Sequence, residues 1–430
     1  MDIDVYLVNS LNGEIRIPGD KSIAHRAVIL NSIGKGTAKL ENFPMGKDCL
    51  NTIDALKSMG TNINLDPYTK KVVIEGVGLN GLTKAPCQIY AGNSGTTARL
   101  LIGLLAGQPF SSSITGDKNL RRRPMDRIVI PLSNMKANIH GKGEQHYLPV
   151  HIEPARLHGI DYILPVASAQ VKSAILLAAL YASSPSVITE VTKSRNHTEI
   201  MLKAMGATID IVDKKIYIEP EPTLYAQDIY IPGDISSAAF MITAGLLVPN
   251  STVIIRDVGL NTTRSGILDV YMSMGGDIHI ENIKEEMGEL KGDIRVTNSK
   301  LNATTIQGDM IPRLIDEIPI IALAATQATG TTIIKDAQEL TIKESNRILS
   351  TVNTLTRLGA NIEATSDGMI IEGPTPLYGN VIDCAKDHRI AMMAAIGGLI
   401  AIGKTTIKNS QWIDISFPGF FSLLKKLSMT

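Results

Sequence analysis

Met59-Gly60-Thr61-Asn62-Ile63 is the stretch that sets the fold, because the chain returns to it. It comes back as Met135-Lys136-Ala137-Asn138-Ile139, Met205-Gly206-Ala207-Thr208-Ile209, Met274-Gly275-Gly276-Asp277-Ile278 and Leu358-Gly359-Ala360-Asn361-Ile362. Each copy reads as a helix ending at a glycine-type cap and passing into a strand. Spacing of about 70 residues over five copies is the mark of an internal repeat. Between the copies lies a second unit: a polar turn, a helix of small and branched apolar residues, then a strand. It starts at Gly19, Gly92-Asn93-Ser94-Gly95, Ser168-Ala169-Gln170, Gly233-Asp234, near Asp316, and at Asp387-His388-Arg389.

Six βαβ-type units in 430 residues divide naturally into two domains of three. Copies one and four both open on Pro-Gly-Asp, at Pro18 and Pro232, so the first pattern restarts there. The expected division is residues 1–20 plus 233–430 in one domain and 21–232 in the other, with Lys21 and Pro232 near the hinges. The repeated helices, Ala98 to Ala106 for example, are apolar nearly all round. Helices of that kind belong inside, with sheets outside them.

The stretch Gly19-Asp20-Lys21-Ser22-Ile23-Ala24-His25-Arg26 opens the first copy. A helix starting near Ser22 puts Ile23, Ala27 and Leu30 on one face and Ser22 with Arg26 on another. A turn, a hydroxyl, two cations and free backbone N–H groups suit a phosphate or carboxylate. The same residues also make an ordinary capped helix with solvated basic side chains, so this stretch alone leaves both readings open.

Composition narrows the field. The 42 basic and 42 acidic residues cancel, and aromatics make up 4%, which argues against a nucleic-acid binder. Cys49, Cys87 and Cys384 lie far apart without Cys-x-x-Cys or Cys/His spacing, so neither a disulfide framework nor a metal site is expected. The acidic start Met1-Asp2-Ile3-Asp4 lacks signal-peptide character, and Ala391 to Gly403 is too short to span a bilayer. A cytoplasmic protein with no membrane association is expected.

Seven motifs occur in order: Gly19-Asp20-Lys21-Ser22, Gly92-Asn93-Ser94-Gly95-Thr96, Arg123-Pro124-Met125, Ser168-Ala169-Gln170-Val171-Lys172, Arg195-Asn196-His197-Thr198-Glu199, Lys343-Glu344-Ser345-Asn346-Arg347 and Asp387-His388-Arg389. Together they resemble the 5-enolpyruvylshikimate-3-phosphate synthase family, over essentially the whole chain. Ser-Ala-Gln-x-Lys, Arg-x-His-x-Glu and Asn261-Thr262-Thr263-Arg264 look like the family's second class, often less sensitive to glyphosate.

The resemblance implies an inside-out α/β barrel: two similar domains, each of three βαβαββ-type repeats with buried helices and outer sheets, and a site in the cleft between them. It implies transfer of the enolpyruvyl group of phosphoenolpyruvate to the 5-hydroxyl of shikimate 3-phosphate, with release of phosphate, through a tetrahedral intermediate. No cofactor and no metal are expected, and the chain is expected to act as a monomer on these two small substrates.

By the same match, Lys21, Ser22, Arg26, Ser168, Gln170, Arg195, Asp316 and Lys343 hold shikimate 3-phosphate. Lys21, Gly95, Arg123, Gln170, Arg347 and Arg389 hold phosphoenolpyruvate. Asp316 and Glu344 serve as the acid/base pair, and Lys21 also meets the departing phosphate. Asn93, Thr96 and His388 stand behind these groups. The chemistry suits the residue types: two anions repel, so dense positive charge is needed, and two proton transfers need two titratable groups. In Arg121-Arg122-Arg123, only Arg123 is expected in the site.

The sequence departs from the family in two places, and Glu339, where some relatives have Asn, is one of them. Asp414-Ile415-Ser416-Phe417-Pro418 lacks a lysine that relatives often carry there, leaving Lys404 or Lys408 as substitutes. The related UDP-N-acetylglucosamine enolpyruvyl transferases usually carry a reactive cysteine ahead of their Arg-Pro, and Gly116 to Pro124 has none. That enzyme and a non-catalytic phosphate-binding protein are the alternatives.

Overall fold

Six helices of the chain are buried along most of their length, and their burial organises everything around them. The computed structural model describes residues 2–384 and 386–429. The chain forms two units. One comprises Gly19–Ile231 with Glu286–Glu289; the other comprises Met1–Pro18, Pro232–Glu285 and Leu290–Thr430. The first break falls at Pro18/Gly19, two residues before the one read from the sequence. Asp20 caps the helix that follows it, accepting the Ile23 amide at 2.9 Å, and so goes with that helix.

The Gly19–Ile231 unit holds α1 (Lys21–Ser32), α2 (Lys47–Ser58), α3 (Gly95–Ala106), α4 (Asp126–Asn134), α5 (Ala169–Ala179) and α6 (His197–Ala204). Of these, α1, α3 and α5 are buried along most of their length. Gly103 shows how close α3 and α5 lie: a Cβ there would stand 2.3 Å from the Ala174 carbonyl oxygen. Three separate four-stranded sheets cover the helices. Across each sheet, the first strand runs parallel to the second, and the second and fourth strands flank the third antiparallel, as in Ile89–Tyr90, Ser112–Thr115, Tyr147–Glu153 and Asn138–Lys142.

The other unit repeats the scheme with α7 (Ile235–Leu247), α8 (Gly266–Ser273), α9 (Ile311–Leu314), α10 (Ile318–Ala325), α11 (Arg347–Arg357), α12 (His388–Gly398) and α13 (Phe420–Ser428). Here α7, α10 and α12 are the buried helices. Two of its sheets have four strands and the third has three. The architecture is a mixed α/β arrangement of buried helices under six separate sheets, as the repeat pattern implies, and the described strands form no closed barrel.

The repeat signature has a backbone cause. Gly60, Gly206, Gly275 and Gly359 all sit at left-handed φ, between 89° and 102°, just past their helices. Glycine takes that conformation without a Cβ penalty. The odd copy, Met135-Lys136, keeps the geometry with a lysine at φ 69°.

Two short strands pair far from where the sequence order suggests. Asn12–Arg16 runs parallel to Thr252–Gly259, and Ile229–Tyr230 runs parallel to Lys35–Glu41. Each therefore supplies the first strand of the other Pro-Gly-Asp copy, and the chain passes from unit to unit immediately after it. Among the described residues, no helix is long and apolar enough to cross a membrane.

Candidate active site

A buried helix leaves its first N–H groups without partners, so its N-terminus must be capped or meet a ligand. In the Gly19–Ile231 unit the expected residues gather at three such ends. Asp20 caps α1, Ser94 caps α3 through the Thr97 amide at 3.1 Å, and Ser168 caps α5 through the Val171 amide at 3.4 Å.

Lys21 is the first residue of α1, one position later than the sequence reading put it relative to the helix, and it pairs with the buried Asp48 of α2. Arg26 donates from Nε to Thr198 Oγ1 at 2.7 Å, from Nη2 to Ser173 Oγ at 2.8 Å and from Nη1 to the Ser22 carbonyl at 2.9 Å. Arg195 donates to Ser22 Oγ at 3.4 Å. Lys21, Ser22, Arg26 and Arg195 are thus joined.

A second group forms over Gly95. A Cβ at Gly95 would lie 3.0 Å from one Arg99 guanidinium nitrogen and 3.4 Å from one of Arg123. Arg123 donates to Asn93 Oδ1 at 3.1 Å; Arg99 donates to Gln170 Oε1 at 2.6 Å; Gln170 donates to Thr96 Oγ1 at 2.9 Å. Arg123 is half-buried while Arg121 and Arg122 are exposed.

A buried polar chain links α1 to α3 through α2. His25 Nδ1 lies 2.7 Å from Thr52 Oγ1, which lies 2.7 Å from Thr97 Oγ1, which donates to Ser94 Oγ at 2.8 Å. Burial, and then the Lys21 charge, push the His25 imidazole down to about 3. It is neutral at physiological pH.

In the Met1–Pro18/Pro232–Thr430 unit the expected residues form one acid–base cluster. Asp316 precedes α10, Lys343 and Glu344 precede α11, Arg347 opens α11, and His388 and Arg389 open α12 behind the cap Asp387. The Arg347 guanidinium is buried and faces three carboxylates. It meets Asp316 Oδ1 at 3.2 Å, Asp387 Oδ2 at 2.9 Å, and Glu344 through Nη2. Burial opposes its charge, but those three carboxylates overcome this and hold the guanidinium firmly protonated. Burial likewise opposes the Asp387 charge, and Arg347 nonetheless holds its carboxyl below the usual range.

Lys343 Nζ is 3.6 Å from Asp316 Oδ1, and Arg389 Nη1 donates to the Asp316 carbonyl at 3.1 Å. Glu344 is no surface partner in an exposed pair, because Arg347, its neighbour three residues on, is 2% exposed at the side chain. His388 is buried and pushed down to about 4 by desolvation, the nearby Asp387 opposing and Arg389 adding to the effect.

Three residues join these clusters that the sequence reading left out. Asp48 holds Lys21, Arg99 holds Gln170, and the buried Glu317 lies 3.9 Å from Arg389 and accepts from Ser236. Arg99 could have been found at i+4 from Gly95 on α3. Of the substitutes for the missing lysine, Lys404 is half-exposed and bonds Asp4 Oδ2 at 3.1 Å, and Lys408 is exposed.

The expected residues thus fall into one group within each unit, at the N-termini of its buried helices. The model of the family described as EPSP synthase (3-phosphoshikimate 1-carboxyvinyltransferase) matches residues 5–424. The chain belongs to the EPSP synthase family. A 3-phosphoshikimate 1-carboxyvinyltransferase of Geobacillus kaustophilus is 50% identical over 98% of both chains, and one of Desulforamulus reducens is 48% identical over 99% of both. Among solved structures, EPSP synthase from Acinetobacter baumannii is 38% identical, covers 100% of this chain and 98% of its own, and superposes with a TM-score of 0.89. The enolpyruvyl transferase NikO from Streptomyces tendae shares the fold, with a TM-score of 0.80 at 16% identity over 99% of this chain and 96% of its own.

Proposed function

We infer that the chain is a 3-phosphoshikimate 1-carboxyvinyltransferase of the shikimate pathway, serving aromatic amino acid biosynthesis. The observation that carries this is full-length membership in the family with all seven expected motifs present. It transfers the enolpyruvyl group of phosphoenolpyruvate to the 5-hydroxyl of shikimate 3-phosphate and releases phosphate.

In our reading the two clusters serve one pair of substrates. Lys21, Ser22, Arg26, Ser168, Gln170 and Arg195 hold shikimate 3-phosphate, with Asp316 and Lys343. Lys21, Gly95, Arg123, Gln170, Arg347 and Arg389 hold phosphoenolpyruvate. Arginine offers paired donors to planar carboxylate and phosphate, and helix N-termini add N–H groups. Asp316 takes the proton from the attacking hydroxyl as the new C–O bond forms at C2 of phosphoenolpyruvate. Glu344 delivers a proton to the methylene carbon, giving the tetrahedral intermediate. It then takes one back as the C–O bond to phosphate breaks, and Lys21 neutralises the leaving phosphate.

What supports these roles is the grouping of the residues within each unit and the buried Arg347, which fixes Asp316 and Glu344 in one network. For Arg347 to meet phosphoenolpyruvate, the ligand must compete with Glu344, the most exposed of its three partners. The chain carries both clusters and works as a monomer in this reading. Three cysteines without disulfides fit the cytoplasm.

Phosphate release from phosphoenolpyruvate, measured with shikimate 3-phosphate and then with UDP-N-acetylglucosamine as acceptor, tests the assignment. Release with the first alone is expected. Release only with the second, or with neither, overturns it.

A further inference from the structure

Lys172 belongs to one of the sequence motifs, yet no step above uses it. It lies on α5 with its side chain fully buried. Its Nζ stands 3.0 Å from Glu190 Oε1 and 2.6 Å from Glu199 Oε1, and it donates to the Ser194 carbonyl at 3.3 Å. Glu190 ends the strand Ser186–Glu190, and Glu199 lies in the first turn of α6. Residues 191–196 connect them, and Arg195 is among these. Glu190 Oε1 also accepts the Ser194 amide at 2.9 Å and its hydroxyl at 2.6 Å. Ser194 is therefore held at amide, hydroxyl and carbonyl by two buried charged side chains. The next residue, Arg195, reaches Ser22.

For stability alone this is a poor arrangement. One ammonium faces two buried carboxylates, and Glu199 Oε2 has no hydrogen-bond partner. Apolar side chains of similar volume generally stabilise such a position as well or better. What the ions add is direction. Groups from α5, a strand end and α6 converge on the backbone one residue before Arg195. A guanidinium on a surface loop otherwise samples many rotamers, and ordering it on binding lowers affinity.

We propose that Lys172, Glu190 and Glu199 form a positioning device for Arg195, and through it set the affinity for shikimate 3-phosphate. The inference rests on the proposed function, which gives Arg195 that ligand. Glu190→Gln keeps volume and one acceptor oxygen while removing the charge that holds Ser194. It should raise KM for shikimate 3-phosphate about tenfold, leaving kcat and KM for phosphoenolpyruvate within about twofold. Lys172→Met should raise the same KM further, with circular dichroism reporting whether it folds; Glu190→Gln decides the matter if it does not.

In an Arg195→Ala background, Glu190→Gln should add nothing to KM, because the residue it positions is gone. Three results overturn the proposal: an unchanged KM in Glu190→Gln, an equal rise in the Arg195→Ala background, or an equal fall in kcat. No turnover of shikimate 3-phosphate by the unaltered chain overturns the functional reading and this inference together. Normal turnover with an unmoved KM in Glu190→Gln overturns the positioning alone.

Discussion

The two units carry the same repeat but build different chemistry at its helix ends. Around α1, α3 and α5, Arg26 meets Thr198 and Ser173, Arg123 meets Asn93 and Arg195 meets Ser22, while Lys21 meets the carboxylate of Asp48. Around α10, α11 and α12, the cations meet carboxylates: Arg347 with Asp316, Glu344 and Asp387, and Lys343 with Asp316. In the roles proposed above, both clusters hold substrate anions, and the one around α10 and α11 also supplies the two acid/base groups, Asp316 and Glu344. Carboxylates beside the cations of the second unit bring titratable groups to its helix ends.

Breaking the carboxylate side should have the largest effect on the fold. Arg347→Met leaves Asp316, Glu344 and Asp387 without their shared cation. Removing one partner of a buried ion cluster costs about 3–5 kcal/mol. Chemical denaturation should show that loss; a change under about 1 kcal/mol would mean the cluster is held by something else.

Acid should weaken both units, each through one histidine. His25 and His388 are pushed down to about 3 and about 4, below an unfolded value of 6.5. The unfolded chain therefore binds more protons between those values, and stability is complete above about pH 6.5 and falls as pH drops toward the folded values. Each histidine contributes roughly 2 kcal/mol of loss by about pH 5. Urea midpoints at pH 7 and pH 5 check this, and His25→Gln should remove its half of the slope. A midpoint that rises on acidification contradicts the buried neutral state.

The smallest effects separate neighbours in the run Arg121-Arg122-Arg123. Arg123→Gln should raise KM for phosphoenolpyruvate about tenfold, close to 1.4 kcal/mol. Arg121→Gln and Arg122→Gln, exposed beside it, should stay within about 0.5 kcal/mol in both stability and KM. Steady-state kinetics on the three variants decides whether the run divides as its exposure suggests.

The repeat was readable because its signals are local: a cap residue, an apolar run, a left-handed residue past the helix. Even Lys136, where glycine is missing, follows from the flanking Met135 and Ile139. The strands Asn12–Arg16 and Ile229–Tyr230 were not readable in the same way. The first buries one side chain, Ile15, and the second has two residues, and both pair with strands far off in sequence. Asp48 and Arg99 escaped notice for a related reason. A single charged residue on a helix reads as solvated, and only tertiary packing aims it at Lys21 or Gln170. Lys172 was visible in its motif, but its two carboxylate partners come from elements 18 and 27 residues away.

Glu344→Gln tests the division of labour most directly, through kcat with both substrates and calorimetric affinity for shikimate 3-phosphate alone. The account predicts a kcat at least about a hundredfold lower, within the range of a lost acid/base group, with affinity changed less than about threefold. A near-normal kcat, or an affinity that falls as far as kcat does, would contradict it.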